Sequence, residues 1–160
     1  MRFEIENDED ELMFYNAEEY IDYYFKNIHN EVVVVLAGSY SDSEFVQKIM
    51  DNLKNNNIYG IPHFYSAHRN PKKVLEILER YDSYSNRKIV FVTVAGRSNA
   101  LSGVVAANTK YPVIACPPFK DKTDFQVNIN STLQMPSNVP VMTILEPANV
   151  ALSVKRMFRL

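Results

Sequence analysis

The sequence predicts an α/β fold in which a central parallel β-sheet is covered by helices on both faces. The run Val32-Val33-Val34-Val35-Leu36 is β-branched with no polar alternation, as a strand buried on both sides requires. Downstream, further apolar runs alternate with stretches whose apolar residues recur at helical spacing. Strand, helix, strand, helix at this spacing is the pattern of βαβ units. A chain of 160 residues, 46% hydrophobic and 22% charged, is long and apolar enough for one such domain with a proper core.

Each element has its own justification. The first strand, Val32 to Leu36, leads into the loop Ala37-Gly38-Ser39-Tyr40-Ser41-Asp42. Phe45, Val46, Ile49, Met50 and Leu53 mark the first helix, which Asn55-Asn56-Asn57 ends. Ile58 to Tyr65 is the second strand, made irregular early on by Gly60 and Pro62. Val74, Leu75, Ile77 and Leu78 mark a second helix, which dissolves in Asp82-Ser83-Tyr84-Ser85-Asn86. Lys88 to Val94 is the third strand, and Ala100 to Asn108 a small-residue helix able to pack closely on another backbone. Tyr111 to Cys116 is a fourth strand stopped by Pro117-Pro118. A helix within Phe125 to Leu133, a short strand within Val139 to Leu145 and a helix from Ala148 to Phe158 complete the body.

Residues 1–30 form a separate unit. They hold nine acids against two bases, a balance of −7, which leaves +5 for the rest of a chain whose net charge is −2. Leu12, Met13, Tyr15, Tyr20, Ile21, Tyr24, Phe25 and Ile28 predict an amphipathic helix behind the acidic run Asp8 to Glu11, whose charges suit a helix start. Such an extension packs either on a neighbouring subunit or on its own domain. A mildly basic body suits a small anionic ligand, and no basic stripe with interleaved aromatics argues for nucleic acid.

No run of about 18 apolar residues marks a membrane span. The acidic beginning lacks the basic, apolar and small-residue regions of a secretory signal. The single cysteine, Cys116, has no internal disulfide partner, which fits a reducing cytoplasmic setting. His29, His63 and His68 are scattered without metal-ligand spacing, so no metal is expected.

Ligands in open α/β folds bind outside the carboxyl ends of the strands, and three strand ends here carry matching chemistry. The first is Gly38-Ser39-Tyr40-Ser41-Asp42: a glycine for a tight turn, two hydroxyls for a phosphate, and a carboxylate able to accept from ribose hydroxyls. Taken alone, Ser-x-Ser-Asp is more often a helix cap. The second is Ser66-Ala67-His68-Arg69, before the helix opening Asn70-Pro71. Arg69 can grip phosphate oxygens with two parallel hydrogen bonds, and an imidazole exchanges protons near neutral pH. An isolated histidine or arginine is usually a surface residue, and for His63 a place in the core or on the sheet is the better reading. The third is Ala95-Gly96-Arg97-Ser98-Asn99, which opens a helix with bare amides and two added donors, Arg97 and Ser98. It is no dinucleotide fingerprint, Walker loop or nucleophile elbow. Together these ends imply a phosphorylated, ribose-bearing small molecule and a proton transfer.

In this order the segments resemble the aminoimidazole ribonucleotide carboxylase/mutase family of purine biosynthesis. The resemblance runs from about Val32 to Phe158. It includes Gly38-Ser39-x-Ser41-Asp42, Ser66-Ala67-His68-Arg69-x-Pro71, Ala95-Gly96, Pro112-Val113-Ile114, Gln134-Met135-Pro136, and Asn149 with Ala151-Leu152. It implies a flavodoxin-like three-layer α/β/α domain, a homo-octamer with sites at subunit junctions, and chemistry without a cofactor. Class I members are mutases that move a carboxylate from an exocyclic nitrogen to the ring carbon. Class II members add carbon dioxide directly to aminoimidazole ribonucleotide, without ATP or biotin. Class I typically has Ala-Gly-x-x-x-His-Leu-Pro-Gly after the third strand, whereas this chain has Asn99-Ala100-Leu101-Ser102-Gly103 and no histidine. Ala95-Gly96-Arg97-Ser98-Asn99, Cys116-Pro117-Pro118 and Leu145-Glu146-Pro147 resemble class II. Arg69 departs from it, since lysine is common there; Thr132 and Asn138 stand where serine and glycine are usual.

Carried over by resemblance, Ser39, Asp42 and Arg69 hold the ribose phosphate while Ser41 and Ser66 line the pocket. Gly96, Arg97 and Ser98 seat carbon dioxide, Ser98 foremost, and His68 takes the proton from the ring carbon. Two other readings remain: a class I mutase with an unusual third loop, and a non-catalytic nucleotide-binding module of a purine-synthesis assembly.

Overall fold

The computed structural model describes residues 30–159. Within them, the strands are β1 Glu31–Ala37, β2 Gly60–Phe64, β3 Lys88–Val94, β4 Val113–Ala115 and β5 Met142–Thr143. The helices are α1 Ser43–Asn55, α2 Pro71–Ser83, α3 Ala100–Ala107, α4 Lys122–Leu133 and α5 Pro147–Phe158, and a short 3-10 turn, Tyr40–Asp42, precedes α1. All the strand pairs are parallel, in the order β2-β1-β3-β4-β5. That is the flavodoxin-like order, with its reversal between β1 and β3. The amphipathic helix expected before residue 30 lies outside the described residues.

The valine-rich β1 takes an inner place in the sheet and is buried on both faces from Val32 to Ala37, as β3 beside it is from Ile89 to Val94. Val33, Val35 and Ala37 face one layer with Val46, Ile49 and Leu53 of α1 and Val150, Val154 and Phe158 of α5. The opposite layer is built on α2, α3 and α4, with Tyr81 edge-on to Phe91 at 5.8 Å between ring centroids. Burying a side chain of this size contributes roughly 1.5–3 kcal/mol, so these two layers carry most of the drive to fold.

Strand limits differ from the sequence reading where proline intervenes. β2 starts at Gly60 rather than Ile58 and keeps Pro62, paired with Val35. It is an edge strand, where the missing N–H costs no ladder bond. β4 is cut to Val113–Ala115, although Pro112 O still accepts from Phe91 N and Cys116 N still donates to Thr93 O, both at 2.9 Å. Pro71 and Pro147 open α2 and α5 at the position where their ring fits a helix start. No helix among the described residues is long and apolar enough to cross a membrane.

Candidate active site

Ala37 of β1 pairs with Phe64 of β2 on one side and Val94 of β3 on the other, each the last residue of its strand. The three following loops therefore leave the sheet from one row, from strands spaced about 4.8 Å apart. The first step of each is still tied to its neighbour: Gly38 N donates to Val94 O, and Tyr65 N to Ala37 O, both at 2.9 Å. The predicted site residues thus share one end of the sheet, across the point where its strand order reverses.

In the first loop, Ser39 caps the 3-10 turn by accepting from Ser41 N at 3.2 Å, and the Ser41 hydroxyl donates to Ser39 Oγ at 2.8 Å. The capping reading therefore holds for Ser39, whose own O–H remains able to donate. It fails for Asp42, which sits at the N-cap of α1 without a side-chain capping bond. Burial raises the Asp42 carboxyl above its ordinary pKa, and the Lys120 ammonium offsets part of that rise. A half-buried carboxylate not used by its own helix is free for a ligand. Gly38 adopts no left-handed conformation, contrary to the tight-turn expectation, and a Cβ there would meet only Ala95 Cβ and Val94 O at 3.9 Å. The fold itself tolerates a side chain at 38; the glycine leaves the mouth of the crevice bare.

In the second loop, Ser66 Oγ accepts from the backbone N–H groups of His68 and Arg69, each at 3.3 Å, while Ser66 O accepts from Asn70 N at 2.7 Å. One buried serine thus fixes the backbone that presents both functional side chains to solvent. The Arg69 guanidinium crosses to the first loop and donates from Nη2 to Gly38 O at 3.3 Å. His68 is exposed beside it. His63 behaves differently: its Nε2 lies 3.1 Å from the Tyr81 hydroxyl, and burial, helped by Arg80, pushes its pKa down to about 4. It is a packed sheet residue, as the sequence reading had it.

The third loop is held from behind. Asn99, 4% exposed, accepts from Ser102 N at 3.1 Å and Ser102 Oγ at 2.8 Å, capping α3. Ser102 Oγ lies 2.7 Å from Thr93 Oγ1 inside the sheet. Asn99 N donates to Ser131 Oγ at 3.0 Å, and Asn99 Nδ2 to Thr132 Oγ1 at 2.9 Å, on α4. The Arg97–Ser98 peptide is cis. The N–H groups of Gly96, Arg97 and Ser98 have no acceptor among the described residues. Arg97 does not extend freely: Nη2 pairs with Asp124 Oδ1 at 2.9 Å.

The supporting residues of α4 and the β4 end escaped the sequence reading. Asp124 takes the Arg97 guanidinium, accepts from Lys120 N at 3.1 Å and is itself fixed where Asp121 caps α4 at 2.9 Å. The available signal was a polar stripe at helical spacing, Asp124-Asn128-Thr132, on a helix that buries Asn128 and Thr132 and exposes Val127 and Leu133. Cys116 is no candidate nucleophile: burial, then Glu146, pushes its thiol up to about 12. The close approach foreseen for the small-residue helix is, at Gly103, to Met135 of the same chain, whose Sδ lies 3.3 Å from where a Cβ would stand.

The family model described as AIR carboxylase matches residues 32–160. A phosphoribosylaminoimidazole carboxylase of Archaeoglobus fulgidus is 47% identical over 127 residues, covering 79% of this chain and 68% of the relative. A bifunctional phosphoribosylaminoimidazole carboxylase/phosphoribosylaminoimidazole succinocarboxamide synthetase of Drosophila melanogaster is 39% identical over 136 residues, covering 85% of this chain but 31% of that longer protein. The crystal structure of Treponema denticola PurE matches with a TM-score of 0.76 at 39% identity, covering 81% of this chain and 80% of that one.

Proposed function

We propose, from the premise that this chain belongs to the AIR carboxylase family of purine biosynthesis, that it adds carbon dioxide directly to aminoimidazole ribonucleotide. The third loop carries this reading. Ala95-Gly96-Arg97-Ser98-Asn99 has no histidine and offers three N–H groups without an acceptor among the described residues, which supports a seat for carbon dioxide there, with His68 exposed on the second loop at the same end of the sheet. A mutase with an unusual third loop and a non-catalytic module are the readings it competes with.

The ribose phosphate lies between the first two loops. Arg69, already bridging them through Gly38 O, supplies a guanidinium fork. Ser39 donates its hydroxyl, Ser41, which donates to Ser39 Oγ, lines the pocket, Asp42 accepts from the ribose, and Ser66 keeps the second loop in shape. The amino-imidazole is an electron-rich enamine, and its ring carbon attacks the carbon of carbon dioxide to form the new C–C bond. Gly96, Arg97 and Ser98 hold the developing carboxylate. Positioning of this kind is worth as much as about 7–11 kcal/mol in intramolecular models. The tetrahedral ring carbon then loses its proton to the His68 imidazole, and the C–H electron pair restores aromaticity. No cofactor enters these steps.

The assay supplies aminoimidazole ribonucleotide with bicarbonate, and its N-carboxy derivative, separately and without ATP. Turnover of the first supports direct carboxylation; turnover of the N-carboxy derivative alone supports a mutase. His68→Asn is expected to bind ribonucleotide normally while turnover falls by about 10²–10⁴-fold. Unchanged turnover would remove His68 from the reaction.

A further inference from the structure

Asn128 is a polar residue in a position that packing alone does not explain. It is 3% exposed, and a Cβ built on Gly96 would lie 3.2 Å from its Nδ2 and 3.8 Å from its Oδ1. Nδ2 donates to Pro118 O at 2.8 Å and to Asp124 Oδ2 at 3.3 Å. Turning the amide over would set Oδ1 against those two oxygens, so its orientation is fixed. Oδ1 is left buried with no hydrogen-bond partner among the described residues. An unmet buried acceptor destabilises a fold, and an apolar side chain of the same size would avoid it. The backbone of Asn128 serves the same loop: its carbonyl accepts from Ser131 Oγ at 3.1 Å and Thr132 Oγ1 at 2.8 Å, the two hydroxyls that hold Asn99. Both ends of the third loop therefore converge on one residue, Gly96 on its side chain and Asn99 on its carbonyl.

We propose that Asn128 is a positioning residue for carbon dioxide capture, placing the Gly96 backbone so that the free N–H groups of residues 96–98 face the crevice. The inference rests on the reading that the third loop seats carbon dioxide. Asn128 acts through Gly96 and touches neither substrate.

The test uses the full chain with aminoimidazole ribonucleotide and varied dissolved carbon dioxide. Asn128→Leu keeps the volume without the amide, and Asn128→Gln moves the amide one methylene towards the loop. Both are expected to raise the KM for carbon dioxide about 10- to 100-fold, as misplacement of a reactant does, and to leave the KM for the ribonucleotide within about twofold. A lower melting temperature with both KM values unchanged would reduce Asn128 to packing and overturn the proposal. Ser98→Ala, run alongside, separates the two levels. If Ser98→Ala raises the carbon dioxide KM and the Asn128 variants do not, the inference alone fails. If none of the three variants moves it, the reading of the third loop fails as well. Should Asn128→Leu not fold, Asn128→Gln decides.

Discussion

Asp42 carries opposing demands in one side chain. Its carboxyl is raised in pKa by burial, so the ionised form costs stability at neutral pH, and that cost vanishes as pH falls below the ordinary carboxylate range. Asp42→Asn should therefore melt at a higher temperature than the parent at pH 7 while binding the ribonucleotide more weakly; paired melting curves and KM values check this. Gly38→Ala should fold normally, because a Cβ there makes only ordinary contacts at 3.9 Å, and should raise the ribonucleotide KM by crowding the crevice. His63, with its pKa pushed down to about 4, stays neutral in the fold while the unfolded chain protonates near the ordinary imidazole value. Its contribution is present above that value and is lost as pH falls towards 4, a loss of about 3 kcal/mol. The urea midpoint of the parent should fall through that window by more than that of His63→Gln, so that any advantage of the parent at neutral pH shrinks towards pH 4. The two histidines were separable in sequence by position alone, one inside a strand and one beyond its end. Asn128 was not, because the groups that give it meaning lie in other loops: Gly96 in the third, Pro118 after β4.

At the scale of elements, periodicity located β1, β3, α1, α2, α3 and α5 because each buries an apolar face in its own chain. It blurred β4 and β5, whose pairing is too short to leave a pattern. α4 is the instructive case. Its inward side chains are Asn128 and Thr132, and its apolar Val127 and Leu133 look out, so hydrophobic spacing misplaced its start, which Asp121 sets at Lys122. The helix is oriented by hydrogen bonds to the third loop rather than by oil. Asn99→Ala removes the α3 cap and takes one of two partners from each of the buried Ser102 and Thr132 hydroxyls, a loss of about 1–3 kcal/mol measurable by urea unfolding. It should also slow turnover, since the loop loses its anchor.

At the scale of the molecule, the family named from the sequence is the one whose model spans residues 32–160. Assembly is an expectation from that resemblance. Exposed apolar side chains that such an assembly would have to cover include Phe119, Val127 and Leu133, 45%, 40% and 63% exposed. Light scattering should find an octamer, and Leu133→Glu should shift it to smaller species; a monomeric parent would defeat shared sites at subunit junctions.

The flush row formed by Ala37, Phe64 and Val94 has an engineering consequence. Three turns hang from a rigid platform whose interior is finished below them. Grafting a different segment between Val94 and Ala100 would redirect the chemistry while the valine-lined interior stays as it is, provided the graft brings its own bracing from the helix behind.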